Sequence, residues 1–225
     1  MKLTDGLYAY IWQGNDNNCN SYIFANTLRD DKHILIDPGH IITPYLKEPA
    51  YEMLAKNITK DGLRLEDIGL ILLTHAHPDH IEAAAKIKEK SQAPIALHES
   101  DNYIYKNFYH DTVDYLLKEG GLELDSLVKV KIEIIHSPGH SPGQIAIYWP
   151  EKKALVVGDV VFYRSTGRFD LPGGDGLALN KSIERLSHFE IEYLLCGHPY
   201  GHPGVIKGKA EVEANFDFLK ENFWF

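Results

Sequence analysis

The chain has 225 residues and 44% apolar content, enough for one sizeable globular domain over residues 1–225. Lys and Arg total 23 against 32 Asp and Glu, a formal charge of −9, which argues against a nucleic-acid binder, since that needs a basic face. An anionic small substrate stays compatible, because bound divalent cations reverse the local field.

In chain order, residues 7–12 and 20–25 read as two strands joined through Gly14-Asn-Asp-Asn-Asn18. Residues 32–37 form a third, ending at Pro38-Gly39. His33 alternates with the apolar side and reads as an ordinary strand residue. His40, just past the turn, has a structural role as its first reading, as isolated histidines commonly do. Met53, Leu54 and Ile58 set helical spacing over residues 51–60. The apolar run over 68–74 then reads as a buried strand, and residues 81–90 as a helix.

Between those two lies His75-Ala-His-Pro-Asp-His80. A surface turn favours Gly, Asn and Ser rather than three imidazoles in six residues. Side chains alternate along an extended segment, so His75 and His77 point the same way and can grip one metal ion. Asp79 and His80, where the helix begins, are re-aimed and can serve a second ion or its water.

Further along, residues 94–98 form a short strand and 99–119 an aromatic-rich helix. Its Tyr103, Tyr105, Phe108, Tyr109 and Tyr115 are assigned mainly to packing, and His98 and His110 to structure. Strands follow over 127–135, 143–149 and 153–157. The first two are separated by Ser137-Pro-Gly-His-Ser-Pro-Gly143, whose prolines restrict φ and hold His140 in place. The third ends in Gly158-Asp159, a carboxylate at a strand end. A Gly-rich loop over 163–176 leads to a helix over 179–187, a strand over 192–196 ending in Gly197-His198, and a closing helix over 211–221. No apolar run reaches membrane length and no basic-then-apolar leader opens the chain. Only two cysteines, Cys19 and Cys196, are present, so the expected setting is reduced and cytoplasmic, without a membrane.

Three separated strand ends and one rigid turn thus deliver ligand-type residues, as an open catalytic metal site requires. In His75-x-His77-x-Asp79-His80, the Pro138-Gly-His140-Ser-Pro-Gly turn, Gly158-Asp159 and Gly197-His198, taken in order, the sequence resembles the metallo-β-lactamase superfamily. The resemblance implies an α/β fold, a four-layer αββα sandwich with the metal site at one edge of the sheets. It also implies two divalent metal ions. His75, His77 and His140 bind the first, Asp79, His80 and His198 the second, and Asp159 bridges them. Gly167-Arg-Phe-Asp-Leu-Pro-Gly-Gly-Asp175 resembles the short glyoxalase II-like (hydroxyacylglutathione hydrolase-like) branch. Only about 27 residues follow His198, so the expectation is a single domain without the helical C-terminal domain of a full-length glyoxalase II. Arg168 is assigned to ordering its loop through a nearby carboxylate in preference to meeting substrate, and His202 is the reserve for His198.

Two such ions would lower the pKa of a bound water and polarise a carbonyl or phosphoryl oxygen, with a hydroxide shared between them as nucleophile. Asp79 is the expected catalytic residue, orienting that water and accepting its proton. No general acid stands out, although Tyr163 and Tyr200 lie on loops near the site. A thiolate needs little help to leave, so the leading expectation is a metal-dependent hydrolase of a small thioester or related ester. The alternatives are a lactonase or small-molecule phosphodiesterase, a mononuclear iron persulfide dioxygenase, and a non-catalytic metal-binding module. The ligands suit zinc first, with iron or manganese open, and the partner is a small-molecule substrate, not nucleic acid.

Overall fold

Along the run Leu70-Ile-Leu-Leu73, Leu70 and Leu72 join one apolar cluster while Ile71 and Leu73 join another. A strand with both faces apolar needs a layer on each side, and the architecture supplies them. The computed structural model describes residues 1–109, 113–121 and 127–223. Its first sheet runs β1 (Lys2–Thr4), β2 (Leu7–Tyr10), β3 (Ser21–Phe24), β4 (His33–Ile36), β5 (Ile68–Leu72), β6 (Ile95–His98) and β7 (Tyr115–Leu117), in that spatial order. Pairing is antiparallel up to β4 and parallel from β4 to β7.

The second sheet is built from β8 (Gly120–Gly121), β9 (Glu133–His136), β10 (Ile145–Trp149) and β11 (Ala154–Gly158). A small hairpin, β12 (Val161–Phe162) and β13 (Ser165–Thr166), stands apart. β14 (Tyr193–Cys196) and β15 (Val205–Lys207) then complete the order β15-β14-β11-β10-β9-β8, with β11 and β14 parallel. Phe24, Ile36, Leu70 and Leu72 of the first sheet meet Ile134, Ile147, Val156 and Leu195 of the second in a shared core. Helices α1 (Ala50–Lys60), α2 (Pro78–Ile81), α3 (Ala84–Ser91) and α4 (Asn102–Tyr109) lay Leu54, Ile58, Ile81, Ile87 and Tyr105 on the outer face of the first sheet. α5 (Gly176–Ser187) and α6 (Lys209–Asn222) lay Ile183, Leu186, Phe216 and Leu219 on the second. The result is the four-layer αββα sandwich. No helix among the described residues is long and apolar enough to cross a membrane.

Several expected elements differ. The helix expected over 81–90 is broken into α2 and α3, because Ala83 N donates to Gly39 O at 2.8 Å, tying the chain to the turn after β4. Of the helix expected over 99–119 the described residues show α4 over Asn102–Tyr109, and Tyr115–Leu117 pairs with β6 as an edge strand instead. Of its aromatics Tyr105 is buried as packing requires, whereas Tyr103 and Phe108 are exposed. His110 lies outside the described residues. The strand expected over 127–135 reduces to β9 and an isolated bridge from Val128 to Leu28. Strands β1, β8, β12, β13 and β15 lie outside the expected strands.

The parallel pairs matter most for function. β4 and β5 run the same way, as do β11 and β14, so the carboxyl ends within each pair share one edge. Asp37, His75, Asp159 and His198 all follow those ends.

Candidate metal centre

The strand-to-helix turn between β5 and α2 carries His75, His77, Asp79 and His80. His75, His77 and His140 bring one ligand atom each within 4.8 Å of one another; so do His75, His80 and Asp159, and so do Asp79, His80 and His198. Asp159 lies between the groups. Its Oδ1 is 3.3 Å from His80 Nε2, and its Oδ2 is 3.5 Å from His140 Nε2 and 3.4 Å from His198 Nε2. All seven residues expected as ligands are therefore gathered at one place. His202 is not among these groups; its Nδ1 accepts from Gly204 N at 3.1 Å and its ring stacks on Tyr163.

The outer nitrogens are held, which aims the inner ones. His80 Nδ1 donates to Asp37 Oδ2 at 2.8 Å, His140 Nδ1 to Arg168 O at 2.6 Å, and His198 Nδ1 to Asn18 O at 3.0 Å. Thr74 Oγ1 donates to Asp37 Oδ2 at 2.7 Å, so its lone pair is free to accept from His75 Nδ1 at 3.0 Å. These tautomers, assigned from the hydrogen-bond network, turn four Nε2 lone pairs inward. His77 instead presents Nδ1, 2.8 Å from His140 Nε2. Among the described residues His75 Nε2 is buried without a hydrogen-bond partner, and Asp159 Oδ1 faces His80 Nε2 across 3.3 Å without a well-formed bond. Buried acceptors facing one another need a cation or a proton between them, so the donor set fits divalent metal ions.

Electrostatics divides the cluster. Burial, then the neighbouring imidazoles, hold His75 well below the ordinary histidine range, and the same causes take His77 down to about 4. Burial also opposes the charged forms of His80 and His198. There the carboxylates win: Asp159 and Asp37 raise His80 well above its usual value, and Asp159 and Asp79 push His198 up to about 9. Burial works against ionised Asp79 and Asp159, yet His198 and His80 keep both well below the usual carboxylate range. His75 and His77 are thus ready as neutral nitrogen donors, while Asp79, His80, Asp159 and His198 form a charge-paired imidazolium–carboxylate cluster whose protons a metal must displace.

Loops complete the walls. A Cβ at Gly167 would collide with the Asp159 carbonyl oxygen, so only glycine lets the chain pass close enough for Arg168 O to reach His140. The Arg168 side chain makes a bidentate pair with Asp170, both bonds 2.9 Å. On the other side Asn17 Nδ2 donates to Asp79 Oδ2 at 2.7 Å. Tyr200 donates its hydroxyl to Asn17 Oδ1 at 3.3 Å and stacks on His198. Trp12, Asn17, Asn18, His198 and Tyr200 line a cavity of ≈ 330 Å³ beside the ligands. His40 pairs with Glu82 at 2.5 Å, apart from the three ligand groups.

The sequence reading missed Asp37, Thr74, Asn17 and Asn18. A signal did exist for Asp37, a carboxylate at a strand end like Asp159. None existed for Asn18, which acts through its carbonyl oxygen.

The sequence matches the model of the metallo-beta-lactamase superfamily over residues 14–198. It is 33% identical over 193 residues to the probable metallo-hydrolase YqgX of Bacillus subtilis, covering 76% of this chain and 82% of that one. It is 35% identical over 169 residues to the hydroxyacylglutathione hydrolase GloC of Haemophilus influenzae, covering 68% and 73%. Among solved structures, TTHA1623 in a di-iron-bound form superposes with a TM-score of 0.64 and 32% identity, over 84% of this chain and 91% of that one.

Proposed function

The chain belongs to the metallo-β-lactamase superfamily, and from that premise we propose that it is a metal-dependent hydrolase of small thioesters or related esters, glyoxalase II-like in chemistry. The observation that carries this reading is the sharing of Asp159 between two groups of ligands, His75, His77 and His140 on one side and Asp79, His80 and His198 on the other. That arrangement suits two ions rather than the single iron of a persulfide dioxygenase. An adjoining cavity gives a small-molecule substrate somewhere to sit. Divalent ions held there supply Lewis acidity and a bound water of lowered pKa. Zinc is the first choice, and the di-iron form of TTHA1623 keeps iron in view.

The chain's own residues do the rest. Asp79, its Oδ2 held by Asn17 Nδ2, orients the attacking water and takes its proton. Asp37, Thr74, Asn18 and Arg168 keep the imidazoles aimed through their outer nitrogens. Tyr200, the phenol beside the cavity, is held above its ordinary pKa by burial and then by the charges of Asp159 and Asp79, which makes it a poor proton donor. A leaving group that needs no protonation is therefore favoured, and a thiolate is one. The 35%-identical GloC, named for a thioester hydrolysis, supports the same substrate chemistry. Cys19 and Cys196 are buried free thiols, which supports a reducing, cytoplasmic setting.

The test is a matched pair of substrates sharing one acyl group, with a thiol or an alcohol leaving group, assayed with zinc and with iron. The thioester should turn over faster by at least about tenfold. Equal turnover would remove the leaving-group argument, and activity only on a persulfide with oxygen consumed would move the chain out of the hydrolases.

A further inference from the structure

The two turns that carry the first ligand group come from different sheets. His75 and His77 follow β5 of the first, and His140 precedes β10 of the second. At their bases Ile145 N donates to Thr74 O at 2.8 Å. Nearer the ligands the two turns are joined by Asp101, in the short 3-10 turn after β6, fully buried at 0% exposure.

Its carboxylate accepts three hydrogen bonds. Oδ2 takes Ala76 N at 3.0 Å and Ser141 Oγ at 2.8 Å, and Oδ1 takes Gly143 N at 2.5 Å. Ala76 is the residue between His75 and His77, and Ser141 and Gly143 flank His140 on its C-terminal side. Every partner is a neutral donor, and an acceptor-only carboxylate can satisfy all of them at once. The approach is tight enough that a Cβ on Gly143 would lie 2.7 Å from Asp101 Cβ and 2.5 Å from its backbone nitrogen. Among the described residues the side chain makes no hydrogen bond to an imidazole nitrogen. Its bonds run to the backbone and hydroxyl groups that set where those imidazoles stand.

We propose that Asp101 is the positioning residue of the first metal group, pinning the His75–His77 turn to the His140 turn so that three nitrogens from two sheets converge on one ion. The role rests on the reading that His75, His77 and His140 hold an ion. Asp79, His80 and His198 are reached by no bond of Asp101, so the effect is confined to one of the two ions.

Asp101→Asn tests this with little change in size. An amide has a single acceptor oxygen, and whichever way it is turned its NH2 faces a backbone N–H, that of Gly143 or that of Ala76. The probe is cobalt(II), titrated into the metal-free full chain and followed by its ligand-field absorption, with zinc binding measured by equilibrium dialysis. The parent should bind two ions. The variant should bind the ion of the His75–His77–His140 group about 10- to 100-fold more weakly, the usual loss for a residue that orients ligands. Its absorption should shift, and the other ion should be retained at parental affinity. Ser141→Ala removes one of the three bonds without opposing two donors, and should weaken the same ion by a smaller factor. It also keeps the proposal testable if Asp101→Asn does not fold. Unchanged affinity for that ion in a folded Asp101→Asn chain, or in Ser141→Ala where the first variant does not fold, overturns the proposal. So does equal loss of both ions accompanied by a lower melting temperature of the metal-free chain. A parent chain that binds no ion overturns the metal reading itself, which distinguishes the two failures.

Discussion

Replacing Asp37 by Asn should uncouple His80 from the centre while leaving the backbone undisturbed. Asp37 sits at φ +50°, a left-handed conformation that Asn tolerates and most other residues do not. Its Oδ1 accepts from Thr74 N at 2.8 Å, and its Oδ2 accepts from Thr74 Oγ1 at 2.7 Å and His80 Nδ1 at 2.8 Å. An amide cannot serve both ends. With its oxygen toward His80, its NH2 faces the Thr74 N–H, and a buried donor loses its acceptor at a cost of about 1–3 kcal/mol. Turned over, it drives His80 to the tautomer with a proton on Nε2, which blocks that nitrogen as a ligand. Metal affinity then falls by about 10- to 100-fold, or about 1.4–2.8 kcal/mol. Both routes lower the stability of the zinc-loaded chain by about 1–3 kcal/mol. Guanidinium unfolding of the metal-free and zinc-loaded forms, with chelator competition for the affinity, separates the two routes. Parental values for all three quantities would refute the argument that Asp37 holds the His80 tautomer.

Two further outcomes follow from the same geometry. His198→Ala should lower occupancy of one ion and activity together, whereas His202→Ala should leave both ions bound, because His202 engages only Gly204 and Tyr163; elemental analysis of both variants decides it, and the reverse pattern would exchange the assignments. The metal-free chain should be most stable near pH ~6.5, the ordinary histidine value. On the acid side, unfolding lets His75 and His77 regain protons that the fold denies them, His77 being pushed down to about 4, so stability falls as pH drops below ~6.5. On the alkaline side the fold holds protons on His80 and His198, the latter pushed up to about 9, so that contribution is complete below ~6.5 and is lost as pH rises toward 9. Melting temperatures of the chelator-stripped chain from pH 5 to 9.5 should trace this maximum, and zinc should flatten the alkaline limb; a metal-free curve rising steadily to pH 9 would contradict the charge pairing. These limbs belong to the coupled cluster rather than to any one imidazole.

Much of the centre was legible because its chemistry is local. His75, His77, Asp79 and His80 lie within six residues on one strand-to-helix turn, and strand alternation alone sets which of them share a direction. Gly158-Asp159 and Gly197-His198 stood out because a ligand-type polar residue directly after an apolar run marks the carboxyl end of a strand. The apolar periods of 2 and 3.6 likewise exposed most strands and four of the helices. What only the tertiary structure decided are the contacts made between segments far apart in the chain. The break between α2 and α3 depends on Ala83 N reaching Gly39 O, and β7 is a strand only because β6 lies beside it. The choice of nitrogen on His75, His80, His140 and His198 depends on the Thr74 hydroxyl, on Asp37 and on the carbonyl oxygens of Arg168 and Asn18. A carbonyl oxygen is present at every residue, so no pattern of side chains announces which one will accept. Strand pairing brings those acceptors behind the ligands, and so it is the packing of the two sheets that turns a set of histidines into an aimed site.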